Sequence, residues 1–380
     1  MRIAQMLDSL NWGGAQRMQL FLVETLRPLG IDITVISLDD DHNSTIPAEL
    51  EALGARVVTF PFPQLFSPGS FADLAKFMHR EKFDLLHAYL THSNIVGPAV
   101  ARLSGTPVIA SLRNTDSGLK TYSRQREYLE RLSLQHLAWQ VMANGNSVGR
   151  YARERLGDKV VIDVISNAVE PIPQLSEADR YDVRTAILGD PQQTIILSVG
   201  RLAAQKGFTD LIKAFAAVHP DHPTTALVIA GGGKLREPLQ EQINRLGIQS
   251  CTFLLGARDD ARRLMAAADI YVNASHFEGT PVSVLEAMSA GLPVIATTVG
   301  EAPFLLEEDA GLLVPPQQPE AIEGALRSLL ESPERCRSLS RSAIERVNRV
   351  YSRRVWRKSI LELYAQVTSV AQSFLDQDSV

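Results

Sequence analysis

The chain alternates continuous apolar runs with helical stretches, and it does so twice. In the first half the apolar runs fall at 2–7, 33–38, 56–60, 85–90, 107–112, 140–144 and 160–165, with helical stretches such as 15–28, 70–80, 93–103 and 121–138 between them. The pattern restarts at TIILSVG (194–200) and continues through ALVIAG (226–231), TFLLG (252–256), IYVNAS (270–275), PVIAT (293–297) and GLLVP (311–315). Strands that are apolar along their whole length, separated by helices, build a parallel sheet covered on both faces. The expected fold class is therefore α/β, with two Rossmann-like doubly wound domains. The first is expected over 1–170 and the second over 190–351, joined through the polar stretch 168–190 that holds Pro171 and Pro173. A helical tail over 352–380, with Trp356, Leu361, Leu363 and Tyr364, is expected to cross back to the first domain. Ligands of such sheets bind beyond the carboxyl ends of the strands, so the two domains are expected to face each other across a cleft lined by those ends.

Composition narrows the class. A chain of 380 residues exceeds what one core normally covers. Hydrophobic content of 45% with 21% charged residues is that of a soluble globular protein. A net charge of −5 argues against a whole molecule built for nucleic acid. Cys251 and Cys336 form neither a disulfide pattern nor a metal pattern, which fits reduced thiols in the cytoplasm. RIAQML at the start is a strand pattern without a signal-peptide layout, and no apolar run approaches the roughly 18 residues of a membrane span. Two segments are basic: 120–131, with Lys120, Arg124, Arg126 and Arg131, and 346–358, with Arg346, Arg349, Arg353, Arg354, Arg357 and Lys358. Such runs are either solvated helix faces or a peripheral grip on anionic lipid or on an anionic acceptor.

The string FEGTPVSVLEAM (277–288) carries the most chemistry. Pro281 suits the first turn of a helix expected to run to about Ala290. Glu278 then precedes the helix and Glu286 lies about one turn inside it. The amides of Thr280, Val282 and Ser283 open the helix, and a helix start with its positive dipole end holds phosphate well. Carboxylates before and along the helix accept from sugar hydroxyls, so the string suits a sugar joined to a diphosphate. On spacing alone, the same two acids also describe a solvated helix start.

Other turns after strands add to this reading. GRLAAQKG (200–207) places Arg201 and Lys206 where two cations would neutralise a diphosphate, one as a planar fork and one as a point charge. NWGGAQR (11–17) puts Gly13 and Gly14 at a helix start, where backbone can approach a ligand closely. It is not a GxGxxG fingerprint, and Asp39 to Asp41 fall in a loop, which disfavours a NAD enzyme. Gly232 in GGGK (231–234) is placed near a base or ribose, with Arg258 of GARDD in the equivalent position after the next strand. Asn167 of SNAVE ends the first domain, lining the hinge or capping a turn. LRNTD (112–116) sends Arg113 and Asn114 in from the acceptor side, and HAYLTHSN (87–94) brings His87 and His92 to another strand end, His92 as the neighbour of a helix cap. The eight histidines show no metal-ligand spacing, and neither GxSxG nor GxxxxGK[ST] occurs.

Together, GGAQR, VGRLAAQKG, LLGARDD…LMAAADIYVNAS, FEGTPVSVLEAMSAGLPVIAT and VGEAPFLL resemble the retaining glycosyltransferases of the GT-B fold, in the family-four group, over nearly the whole chain. The resemblance implies a second domain that binds a nucleoside-diphosphate sugar, UDP-linked in preference to GDP-linked. It implies Arg201 and Lys206 on the diphosphate, Glu278 on sugar hydroxyls, and the Gly279–Thr280–Pro281–Val282 backbone facing sugar and phosphate. Glu286 would hold the ribose and Gly14 would approach the phosphate from the first domain. Neither a cofactor nor a bound metal is implied; two cations and helix amides take the electrostatic role of Mg²⁺. Many relatives carry His where this chain has Arg113, which cannot act as a base near neutral pH. Either Arg113 selects an anionic acceptor or another residue orients the sugar. The expected activity is transfer of a hexose-type sugar to a hydroxyl of a glycan or lipid-linked acceptor, with retention, in the cytoplasm or peripherally at the inner face of the membrane. The alternatives are a nucleotide-sugar epimerase or phosphorylase on a related scaffold, or a sugar-nucleotide-binding module without catalysis.

Overall fold

The structure, a computed structural model, describes residues 1–11, 13–40, 44–113 and 124–377. They form two compact units, Met1–Asn167 with Arg353–Val380, and Ala168–Ser352. In the first unit the strands are β1 (Arg2–Leu7), β2 (Asp32–Ser37), β3 (Arg56–Thr59), β4 (Leu85–Tyr89), β5 (Val108–Leu112), β6 (Gln140–Ala143) and β7 (Ile162–Val164). They pair in the order β3-β2-β1-β4-β5-β6-β7, every pair parallel. The second unit has β8 (Thr194–Val199), β9 (Thr225–Ala230), β10 (Thr252–Gly256), β11 (Ile270–Asn273), β12 (Val294–Thr297) and β13 (Leu312–Val314). Their order is β10-β9-β8-β11-β12-β13, again all parallel. Both sheets thus have the doubly wound Rossmann order, whose direction of winding reverses between β1 and β4 and between β8 and β11.

The period of two explains why these runs are strands rather than helices. In β8, Ile195 and Leu197 enter one core cluster while Ile196 between them enters the other. β9 and β12 split the same way, Val228 and Val294 on one face against Leu227 and Ile295 on the other. Each strand is greasy on both sides because helices cover both sides.

Residues 168–190, whose composition suggests a linker, are instead a packed part of the second unit. Helix Glu177–Leu188 starts at Ser176, whose side chain accepts from Asp179 N–H at 3.1 Å. Its Arg184 is buried and reaches Asp269 at 3.0 Å and the Ala267 carbonyl at 2.8 Å. The tail forms helix Arg353–Val367 in the first unit. Its Trp356 meets Phe21 edge-on at 5.2 Å, Arg353 pairs with Glu24 at 2.6 Å, and Tyr364 is fully buried. The second basic segment is therefore not simply a solvated face. Arg346 is buried against the carbonyls of Phe304 and Leu305 and pairs with Glu307 and Glu308, and Arg349 also pairs with Glu308.

Candidate functional site

Lys206 and Glu278 are 72 residues apart in sequence and form an ion pair. Lys206 leaves the carboxyl end of β8 and Glu278 that of β11, the two strands flanking the reversal of the second sheet. That is where a doubly wound sheet opens toward a ligand. Glu278 is buried, and its Oε1 also accepts from Ser275 Oγ at 2.7 Å. Ser275 is fully buried, with its carbonyl accepting from Thr297 Oγ1 at 2.6 Å, so β12 fixes the carboxylate from behind.

The two loops are stitched together. Gln205 donates to the Phe277 carbonyl at 3.1 Å, His276 N–H donates to the Gln205 carbonyl at 2.8 Å, and the His276 ring meets Asp210 at 2.7 Å. Gly207 makes the approach possible. Its φ of +63° is left-handed, and a Cβ there would stand 1.9 Å from the Ala274 carbonyl oxygen. Gly300, at φ +54°, closes the other side, where a Cβ would lie 2.4 Å from the carbonyl oxygens of both Glu278 and Gly279.

Pro281 is the N-cap, at φ −74° and ψ 93°, and the helix runs Val282–Ser289, one residue shorter at each end than the sequence suggests. No side chain caps it. Pro281 brings its fixed φ but a ψ outside the helical well, so the helical turns begin one residue later. Gly279 accepts from Glu301 N–H at 2.8 Å, while Thr280 and Val282 are partly exposed beside it. Glu286 lies in the second turn, buried, with the Arg262 guanidinium 4.0 Å from its Oε1. Arg262 also donates to the carbonyls of Glu170 and Pro171. Arg201 is exposed and, among the described residues, has no carboxylate partner. Gly232 accepts from Leu202 N–H at 2.8 Å and so anchors the Arg201 loop, while Arg258 is exposed and pairs within its own loop with Asp260.

Gly13, Gly14, Arg113 and Asn167 belong to the first unit. Gly13 is the extended N-cap of helix Gly14–Leu26, without a side-chain cap, and a Cβ on Gly14 would meet open space. Arg113 follows β5, is buried, and donates from Nη1 to Asn167 Oδ1 at 3.0 Å. Asn167, the last residue of the first unit before the second begins, accepts from this guanidinium. His87 lies inside β4, fully buried, bonded to Ser111 Oγ at 2.7 Å and Tyr364 OH at 3.0 Å; burial, then the charge of Arg113, holds it neutral. His92 sits in the first turn of helix Thr91–Ser104, where its N–H and that of Ser93 donate to Asp8. Asn114 lies outside the described residues. Among the described residues no three His, Cys, Asp or Glu side chains converge as a metal site requires. A cavity of about 650 Å³ opens at the opposite, amino end of β11 and β12, beside Asp269, Pro293 and Ser340, and none of the site residues line it.

Two doubly wound units of Rossmann order in one chain define the GT-B class of fold. The chain superposes on Anabaena Alr3699/HepE in complex with UDP with a TM-score of 0.87 and 22% identity, covering 96% of this chain and 100% of that one. The chain belongs to the family-four, group 1 glycosyltransferases: residues 179–346 match the Glycosyl transferases group 1 model and residues 12–171 the Glycosyltransferase Family 4 model. It is 27% identical to an Escherichia coli UDP-Gal:alpha-D-GlcNAc-diphosphoundecaprenol alpha-1,3-galactosyltransferase over 64% of this chain and 66% of that protein. It is 25% identical to the Rhizobium meliloti lipopolysaccharide core biosynthesis glycosyltransferase LpsE over 93% and 95%. The match to the galactosyltransferase therefore spans just under two thirds of that relative's length.

Under the site lie Ser275, Thr297, His276, Asp210 and Arg262, which no motif in the sequence marks. Ser275, three residues before Glu278, was the one local signal, since a hydroxyl at that spacing reaches a following carboxylate. The rest depend on loops far apart in sequence.

Proposed function

We propose that this protein is a retaining hexosyltransferase that moves a sugar from a UDP-sugar to a hydroxyl of a glycan or lipid-linked acceptor in cell-envelope polysaccharide synthesis. The observation that carries the reading is the meeting of Lys206 and Glu278 at the reversal point of the second sheet, beside a helix start without a side-chain cap. An ammonium and a row of amides suit the diphosphate, and a rigidly held carboxylate suits sugar hydroxyls. Support comes from the UDP and UDP-glucose complexes of the Anabaena structure, and from the GlcNAc-diphosphoundecaprenol and the lipopolysaccharide core biosynthesis in the relatives' names.

In this reading the donor diphosphate draws Lys206 from Glu278 and freed Glu278 orients the sugar. The bond from C1 to the β-phosphate oxygen breaks, the acceptor oxygen bonds to C1 on the same face, and the acceptor proton passes to the departing phosphate oxygen. Arg201, Lys206 and the amides at Val282 and Ser283 stabilise the developing charge without a bound metal. Glu286 holds the ribose, and Gly232 and Arg258 lie by the base. The reading includes a cytoplasmic protein with peripheral membrane contact through the exposed Arg124 and Arg131; no helix among the described residues is long and apolar enough to cross a membrane.

Lys206→Ala and Glu278→Ala are expected to lower turnover roughly 10²–10³-fold, the usual effect of removing one group that stabilises developing charge. Both variants should stay folded by circular dichroism, with midpoints lowered because each leaves a largely buried charge without its partner. Parent-like turnover in both variants rules the site out. A thermal-shift series with UDP, GDP and ADP should show the largest stabilisation with UDP.

A further inference from the structure

Three arginines are buried among the described residues: Arg113, Arg184 and Arg346. Arg184 meets Asp269 at 3.0 Å, and Arg346 meets Glu307 at 2.6 Å and Glu308 at 2.9 Å. Arg113, only 8% exposed, meets no carboxylate among the described residues. Its Nη1 donates to Asn167 Oδ1, its guanidinium lies 4.7 Å over the Tyr89 ring, and its Nε is buried without a hydrogen-bond partner. Among the described residues, the groups these contacts place around it are neutral: the amide of Asn167, the imidazole of His87, and the phenols of Tyr89 and Tyr364. Burial lowers the proton affinity of Arg113, and the phenols of Tyr89 and Tyr364 are what oppose that. Removing a charge from water without an opposite charge is strongly unfavourable, and such a charge persists where a ligand completes it. Arg113 also stands at the carboxyl end of β5, the end at which a parallel sheet presents residues to ligands.

We propose that Arg113 receives an oxyanion, carboxylate or phosphate, borne by one of the sugar substrates apart from the nucleoside diphosphate itself, and that it sets the preference for an anionic over a neutral substrate. The assignment rests on the sugar-transfer reading above. A planar guanidinium with unused N–H capacity suits a carboxylate or phosphate that accepts two parallel hydrogen bonds. The oxyanion has two sources, a uronic-acid ring on the donor or an acidic group on the acceptor, and the site chemistry is the same for both.

The test is a set of binding titrations on the parent, Arg113→Lys and Arg113→Met, with two matched pairs of probes and with UDP. UDP-glucuronate against UDP-glucose reads the donor source. Glucose 6-phosphate against glucose, in the presence of UDP, reads the acceptor source. In the parent, the anionic member of one pair should bind at least about tenfold tighter, as expected where a buried polar group would otherwise stay unpaired. Arg113→Met should bring that ratio to near one, and Arg113→Lys should fall between, while the Kd for UDP changes little. Circular dichroism and unfolding midpoints confirm that each variant is folded, and Arg113→Lys carries the test if Arg113→Met is not. The proposal is overturned if neither pair shows an anion preference in the parent, if the preference survives in both variants, or if anionic and neutral probes weaken equally. The UDP titration separates this from the donor-site reading: UDP binding that fails in the parent sinks the latter, whatever the ratios show.

Discussion

Asp8 sits just past β1 with its carboxylate accepting from the N–H groups of His92 and Ser93, at 3.1 and 2.7 Å, and from Ser93 Oγ at 2.8 Å. It fills the cap position of helix Thr91–Ser104 from another element, because Leu90, at φ +75°, turns the chain sharply into that helix. Burial nevertheless raises its pKa from 3.8 to about 6, with the cap hydrogen bonds pulling the other way and Glu130 adding a small push upward. A carboxyl whose folded pKa lies above its unfolded value holds its proton more tightly when folded. The resulting stability is fully present below about pH 3.8 and is lost as pH rises through about 6. A shift of that size corresponds to ~3 kcal/mol. Asp8→Asn should therefore flatten the urea-unfolding free energy between pH 4 and 6. A variant whose pH slope equals the parent's would show that Asp8 does not titrate in this range.

At the scale of elements, the paired loops after β8 and β11 depend on one backbone position. Gly207→Ala combines a left-handed φ with a Cβ at 1.9 Å from a carbonyl oxygen. Strain of that kind costs about 1–3 kcal/mol before the clash is counted, so a loss of about 3 kcal/mol or more is expected. Gly14→Ala, where a Cβ meets open space, should leave stability unchanged. Denaturant unfolding of the pair, with the UDP-induced thermal shift, checks this; equal stability of the two variants would contradict it. The strands themselves were legible, TIILSVG at 194–200 appearing as Thr194–Val199 and PVIAT at 293–297 as Val294–Thr297, because a covered parallel strand must be apolar throughout. Helix Glu177–Leu188 is not, because Pro171 and Pro173 and a polar composition imitate a linker; its one local signal is Ser176 three residues before Asp179. Lys206 and Glu278 stood out as residue types in their motifs, but their ion pair did not. Nor did the capping of a helix by Asp8, a contact across more than eighty residues. Local pattern carries no information about which loops converge.

For the whole molecule, the second unit is one continuous segment and the first is not. Helix Arg353–Val367 contributes Trp356, Ile360, Leu361, Leu363 and Tyr364 to the buried interior of the first unit. Exposing five such side chains forfeits about 1.5–3 kcal/mol each, comparable with the whole stability of a domain. Residues 168–352 made alone should fold cooperatively, whereas 1–167 made alone should not; the two amide proton spectra decide this, and a dispersed spectrum from 1–167 would refute it. The second unit is also closed at its own ends. Val169 donates to the Tyr351 carbonyl at 3.0 Å and bridges Ser352, so the chain arrives and departs side by side. Neighbouring backbones of this kind lie about 4.8 Å apart, a gap that about two or three small residues can span. The second unit can thus be lifted out like a cassette and another module of the same fold set in its place without rethreading the remainder.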